Sequence, residues 1–172
     1  MRVPYGTNFN KNDERYTPKM LIRPILKYIP KNKIVWCPFD KDESNYVKLI
    51  KEVNPIVNSH WEYGQNFFRY MPDKFDLIVT NVPFSLKFEI LNVLYKIDKP
   101  FCVLMPVQAL NYQNIMGLVK DLQLFIFDKK VSFDGNTAAF AVCYFCYKFL
   151  PKDLIVHHLE HNNTGKFWNE GN

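Results

Sequence analysis

Apolar and polar positions follow two rhythms along the chain. Short apolar runs rich in β-branched residues fall at residues 34–37, 55–60, 74–81 and 100–106, each bounded by Pro, Asn, Asp or Lys, and each too short for a helix. Between them the apolar positions recur at helical spacing. Met20, Leu21, Ile22, Ile25, Leu26 and Ile29 predict a first helix, with Thr17 as its N-cap, Pro18 at its first position, and Pro24 delaying or kinking it. Residues 44–53 place Tyr46, Val47 and Ile50 on one side and Lys48, Lys51 and Glu52 on the other, and residues 86–97 align Phe88, Leu91, Leu94 and Tyr95. Residues 65–70 read as a loop or short turn, and residues 110–119 as a further helix.

Strand and helix thus alternate four times, which predicts βαβ units, a mostly parallel sheet and an α/β fold. Beyond residue 119 the rhythm changes. Residues 122–127, 131–133 and 140–150 hold no helical pattern, and Asp134-Gly135-Asn136 supplies a turn, so an antiparallel hairpin is expected at the C-terminal sheet edge. A single domain over residues 16–160, a flexible polar segment over 1–15 and a polar tail over 161–172 follow, with no repeat and no dividing linker.

Composition narrows the class. A chain of 172 residues, 48% hydrophobic and with six glycines, can build an ordinary core and is not a low-complexity segment. Lys and Arg number 22 against 17 Asp and Glu, a formal charge of +5 that permits a polyanionic partner without requiring one. Cys37, Cys102, Cys143 and Cys146 are few for the length and three lie in apolar runs, as buried thiols of a reducing compartment would. Cys143 and Cys146 would face opposite sides of a strand and lack a second ligand pair at zinc spacing. Met1-Arg2-Val3-Pro4 has no signal-peptide pattern and no apolar run is of membrane-spanning length, so a cytoplasmic protein without a membrane partner is expected. His157, His158, Glu160 and His161 are read as an exposed C-terminal segment in preference to a metal site, and Lys129, Lys130, Lys148 and Lys152 as phosphate contacts or a solvated edge.

Open α/β sheets keep their ligands beyond the carboxyl ends of their strands. There the run 74–81 is stopped by Asn81-Val82-Pro83-Phe84, which resembles the Asn/Asp-Pro-Pro-Phe/Tyr signature of methyltransferases that modify exocyclic amines of bases. Such an amine delocalises its lone pair into the ring and attacks poorly until acceptors hold its hydrogens; an Asn oxygen and the next carbonyl can do so, and an aromatic ring can stack on the extruded base. The likeness extends from Asp13 to about Ile155. Tyr16-Thr17-Pro18, Trp36-Cys37-Pro38-Phe39-Asp40, Gly64-Gln65-Asn66-Phe67-Phe68, Asn81-Val82-Pro83-Phe84-Ser85 and Phe149-Leu150-Pro151-Lys152-Asp153 occur in the order seen in small adenine-specific (N-6) DNA methyltransferases of bacteriophages.

That resemblance implies a Rossmann-like class I methyltransferase fold, S-adenosylmethionine as methyl donor, and DNA as partner. It also implies roles. Tyr16, Thr17 and Pro18 would cover the methionine carboxylate, and Asp40, after Pro38 and Phe39, would accept from the ammonium. Glu62 or His60 would take the ribose hydroxyls, Asn66 and Phe67 would flank the donor's adenine, and Asn81, Val82, Pro83 and Phe84 would hold the substrate amine and base. Two positions depart from the commoner pattern: no glycine follows the first strand, and Val82 replaces the first proline of the signature, so reduced rather than abolished activity is expected. Two alternatives stay open, an RNA-directed enzyme of the same chemistry and a catalytically impaired methyltransferase-like protein that binds nucleic acid or a host protein. Target selectivity would be low, or come from loops or a partner, and the oligomeric state is open.

Overall fold

In a computed structural model that describes residues 16–112, 121–133 and 141–160, all four early apolar runs form strands. The elements are α1 (Lys19–Leu26), β1 (Val35–Pro38), α2 (Asn45–Lys51), β2 (Ile56–Ser59), β3 (Leu77–Asn81), α3 (Lys87–Ile97), β4 (Phe101–Pro106), β5 (Gln123–Phe127), β6 (Val142–Tyr147) and β7 (Leu154–His157). They form one seven-stranded sheet in the order β2-β1-β3-β4-β6-β5-β7. The pairs β2–β1, β1–β3, β3–β4 and β5–β7 are parallel, whereas β6 runs against both β4 and β5. The architecture is Rossmann-like α/β, mostly parallel, with its reversed strand toward the C-terminal side.

The strand alternation sorts side chains onto two faces. Val35, Cys37, Leu77, Val79, Cys102 and Leu104 pack with Leu21, Ile22 and Ile25 of α1 and Tyr46, Leu49 and Ile50 of α2. Trp36, Ile78, Phe101, Val103 and Met105 pack with Ile90, Leu91 and Leu94 of α3 on the other face. Burial on both faces is why these strands read as continuous apolar runs rather than as alternating ones. All four cysteines are free thiols in this interior, Cys143 and Cys146 on opposite faces of β6.

Four local expectations change. Thr17 does not cap α1: Pro18 occupies the N-cap position with φ −58° and ψ 140°, and no side chain supplies a capping bond. Pro18 has a helical φ but an extended ψ, so it stays outside the helix, which starts two residues after Thr17. Pro24 lies inside α1, which ends at Leu26, short of Ile29. The antiparallel pair is β5–β6, with β6 drawn inward against β4, and β7 adds a parallel strand outside β5. The segment after Pro151 is therefore more than an exposed tail: His157 stacks on Phe125 at 5.6 Å, and Leu159 is buried. Lys148 pairs with Asp98 at 2.8 Å and Lys129 donates to the Leu159 carbonyl at 2.8 Å, which gives both intramolecular roles. Among the described residues no helix is long and apolar enough to cross a membrane. The segment 1–15, most of the helix read at 110–119, the Asp134-Gly135-Asn136 turn, Phe140 and the tail with His161 lie outside the described residues.

Candidate active site at the tips of β1 and β3

The chain leaves β1 through Pro38-Phe39-Asp40, and Phe39 adopts φ 70°, the left-handed backbone that glycine takes without cost. The missing glycine of this loop is thus a missing residue type and not a missing turn. What fixes a phenylalanine there is its ring, 4.9 Å from Phe67, which in turn lies 5.5 Å from Trp36. Phe67 is itself core, 5% exposed, and forms a wall behind Phe39.

Asp40 is buried and fully engaged. Its amide donates to the Ser59 carbonyl at 3.2 Å, its Oδ1 accepts from Ser44 Oγ at 2.7 Å, and its Oδ2 lies 2.6 Å from Thr80 Oγ1. Asn58 Nδ2 holds its carbonyl at 3.2 Å. Burial pushes its carboxyl up to about 7, against the opposing pull of the Thr80 and Ser44 hydrogen bonds. Ser44 also caps α2 by accepting from the Val47 amide at 3.3 Å, so the loop after β1 is fastened to the helix that follows.

The N-terminal segment joins the same loop. Asn45 Nδ2 donates to the Thr17 carbonyl at 2.9 Å, and Tyr16, exposed, donates to Glu43 Oε1 at 2.9 Å. Thr17 is buried, and its hydroxyl has no hydrogen-bond partner among the described residues. At the end of β2, His60 is buried and its Nδ1 accepts from the Glu62 amide at 3.2 Å. Glu62 is exposed and pairs with Lys41 at 2.8 Å, bridging the loops after β1 and β2. Asn66 Oδ1 accepts from the Phe68 amide at 2.9 Å, so its acceptor is used within its own turn.

At the tip of β3 the arrangement differs. The Asn81 Oδ1 atom is buried and has no hydrogen-bond partner among the described residues. Val82 is 2% exposed and packs on the α3 side of the sheet, which accounts for an aliphatic side chain at this position of the loop. Pro83 opens the short 3₁₀ turn Phe84–Leu86, and half-buried Phe84 touches the cores of both faces. The Phe84 carbonyl accepts from Lys87 Nζ at 3.1 Å, and that ammonium lies over Phe88 at 4.7 Å and Tyr112 at 5.3 Å.

The expected residues thus fall at neighbouring strand ends, Tyr16 and Thr17 beside the Asp40 loop and Asn81 on the adjacent strand. Sequence reasoning missed Thr80 and Ser44, the two partners of the Asp40 carboxyl. A threonine inside an apolar run reads as β-propensity, and only the burial of that strand signals that its hydroxyl needs a partner.

Comparison with known proteins gives the following likenesses. Residues 63–161 match the model of a family described as adenine-specific methyltransferase EcoRI. Over 53 residues, 31% of this chain and 16% of the relative, the chain is 38% identical to the Type II methyltransferase M.EcoRI of Escherichia coli, so the match spans about a sixth of that curated relative. Among solved structures, a class I S-adenosylmethionine-dependent methyltransferase from Listeria monocytogenes superposes with TM-score 0.49 at 9% identity, covering 87% of this chain and 67% of that one. A protein-(glutamine-N5) methyltransferase from Alicyclobacillus acidocaldarius does so with TM-score 0.40 at 12% identity, covering 84% and 99%.

Proposed function

Taking as premise that the chain belongs to the adenine-specific methyltransferase EcoRI family and has the Rossmann-like class I fold, we propose that it methylates the exocyclic amine of adenine in DNA, with S-adenosylmethionine as donor. The residues present fit that donor. A buried carboxylate at Asp40 suits an ammonium, while the Thr17 hydroxyl and the first-turn amides of α1, which bears no acidic residue there, suit a carboxylate. Tyr16 can close over that end, Glu62 can accept from ribose hydroxyls, and the Asn66 amide and the Phe39 ring can flank a purine. Bound there, S-adenosylmethionine supplies a methyl group made electrophilic by its sulfonium.

The chain's own task is to make the amine a nucleophile. Asn81 Oδ1 accepts one amine hydrogen and the Val82 carbonyl the other, which turns the nitrogen lone pair out of the ring. Pro83 fixes the turn, and Phe84 stacks on the extruded base. No general base is required, because the proton leaves after the nitrogen has become cationic.

The observation that carries this reading is the orphan Asn81 Oδ1. A buried acceptor without a donor costs about 1–3 kcal/mol, and an amine hydrogen would remove that cost. The test is transfer of labelled methyl to unmethylated DNA, and to RNA of matched sequence, by wild type and Asn81→Ala. Wild type should prefer DNA, and Asn81→Ala should lose ~10²- to 10³-fold, the scale of one lost contact to a developing charge. Equal incorporation by both proteins would remove Asn81 from its role. Preference for RNA would change the substrate. No calorimetric signal with S-adenosylmethionine would favour a binding protein, the reading to which the internally satisfied Asn66 oxygen and Val82 lend themselves.

A further inference from the structure

Thr80 is completely buried, and its Oγ1 lies within hydrogen-bonding reach of three oxygens: the Pro38 carbonyl, Asp40 Oδ2 at 2.6 Å and the Asn81 carbonyl at 3.3 Å. One hydroxyl carries one proton. It can donate to a single neighbour, and a second oxygen stays close only if it brings a proton of its own, which among the three only the Asp40 carboxyl can do. A neutral Asp40 satisfies that count as the atoms stand, and an ionised one does so only once the Pro38 carbonyl draws back. With a neutral Asp40, the carboxyl donates to Thr80 and Thr80 donates to the Pro38 carbonyl. With an ionised Asp40, Thr80 turns and donates to the carboxylate.

We propose that Thr80 is a positioning residue, whose hydroxyl holds the Asp40 carboxylate for the ammonium of the methyl donor and ties the tip of β1 to the tip of β3 beside Asn81. The inference rests on the donor site proposed above. Its geometry is direct, since the same atom meets the first residue of the β1 loop, the carboxylate two residues later, and the strand that carries Asn81. Cys37 on β1 and Tyr46 on α2 are pushed up by burial, away from neutrality, and Ser44 donates to the opposite carboxyl oxygen. On the same loop Lys41 is paired with Glu62, Asp42 accepts from Asn58 of β2, and Glu43, which accepts from Tyr16, is held below the usual carboxylate range by a backbone hydrogen bond and by that tyrosine.

The test compares wild type, Thr80→Val, which keeps the shape and loses the hydroxyl, and Thr80→Ser, which keeps the hydroxyl. The Asp40 carboxyl is titrated by carbon NMR in the full chain without cofactor, and S-adenosylmethionine affinity is measured by calorimetry from pH 6 to 9. Thr80→Val should raise the Asp40 midpoint by about one pH unit and weaken donor affinity about tenfold at pH 6.5, with less effect at pH 9, the size of one hydrogen bond to a charged group. Thr80→Ser should restore both. An unmoved midpoint and affinity in Thr80→Val, or a Thr80→Ser as impaired as Thr80→Val, overturns the proposal and leaves Thr80 a packing residue. If Thr80→Val does not fold, Thr80→Cys, a weaker donor in the same place, must shift both quantities in the same directions. A wild type that binds no S-adenosylmethionine sinks the donor reading instead, while the Asp40 midpoint, read without cofactor, still decides whether Thr80 governs the carboxyl.

Discussion

The tips of β1 and β3 lie side by side and are finished in opposite ways. The loop after β1 closes on itself: both Asp40 oxygens have partners, Asn58 holds its carbonyl, Lys41 bridges to Glu62, and Phe39 is held by Phe67. The tip of β3 leaves the Asn81 oxygen buried without a donor among the described residues. A pocket that must grip one constant ligand gains by being prearranged, because ordering then costs nothing at binding. A pocket that must receive a base already torn from its stack gains by leaving its strongest acceptor for that base alone. On the proposed function the β1 tip is the donor side, built to be stable, and the β3 tip the base side, left to be completed.

Opposite signs of mutational effect would follow. The largest is at the β1 side: Phe67→Ala removes the ring between Phe39 and Trp36 and should cost about 3–5 kcal/mol in denaturant unfolding. A cost below about 1 kcal/mol would mean that this loop is not held by its aromatic wall. Next comes the pH dependence of Asp40, whose carboxyl is raised from 3.8 to about 7 by burial. Between these two values the folded chain keeps a proton that the unfolded chain has released, so stability is greatest below the window, falls as pH rises through it, and levels off above about 7. The slope from this group approaches about 1.4 kcal/mol per pH unit, and Asp40→Asn should flatten it. At the β3 side the sign reverses. Asn81→Leu removes an unsatisfied acceptor and should raise stability by about 1–3 kcal/mol while abolishing methyl transfer; a fall in melting temperature would show that the oxygen is paired after all. The smallest effect separates turn from side chain: Phe39→Gly should exceed Phe39→Ala in stability by about 1 kcal/mol, because only the backbone at φ 70° distinguishes them.

Much of the parallel half was legible because buried parallel strands write themselves as unbroken apolar runs, as at 77–81 and 101–106. β7 was not legible: Leu154 and Val156 are exposed, the strand is four residues long, and it sits among charged residues at the rim of the sheet. The cap of α1 was misassigned because Thr-Pro suits two arrangements with the same extended Thr17, and only the ψ of Pro18 decides between them. Within the site, Asn81 and Asp40 could be placed because each ends an apolar run. The left-handed turn at Phe39 could not, since its usual marker is glycine, and neither could the proton count at Thr80, which exists only once two strand tips are brought together.

The inward seat of β6 also shapes how the polypeptide emerges from the ribosome. Six residues of β4, Phe101 to Pro106, pair with β3 along one edge, but along the other edge find their partners only at Tyr147 to Val142. Until those are translated, a fully apolar strand presents a bare hydrogen-bonding rim to whatever is nearby. A premature stop between the two segments should therefore yield aggregates that demand chaperones, and not a shortened but folded protein.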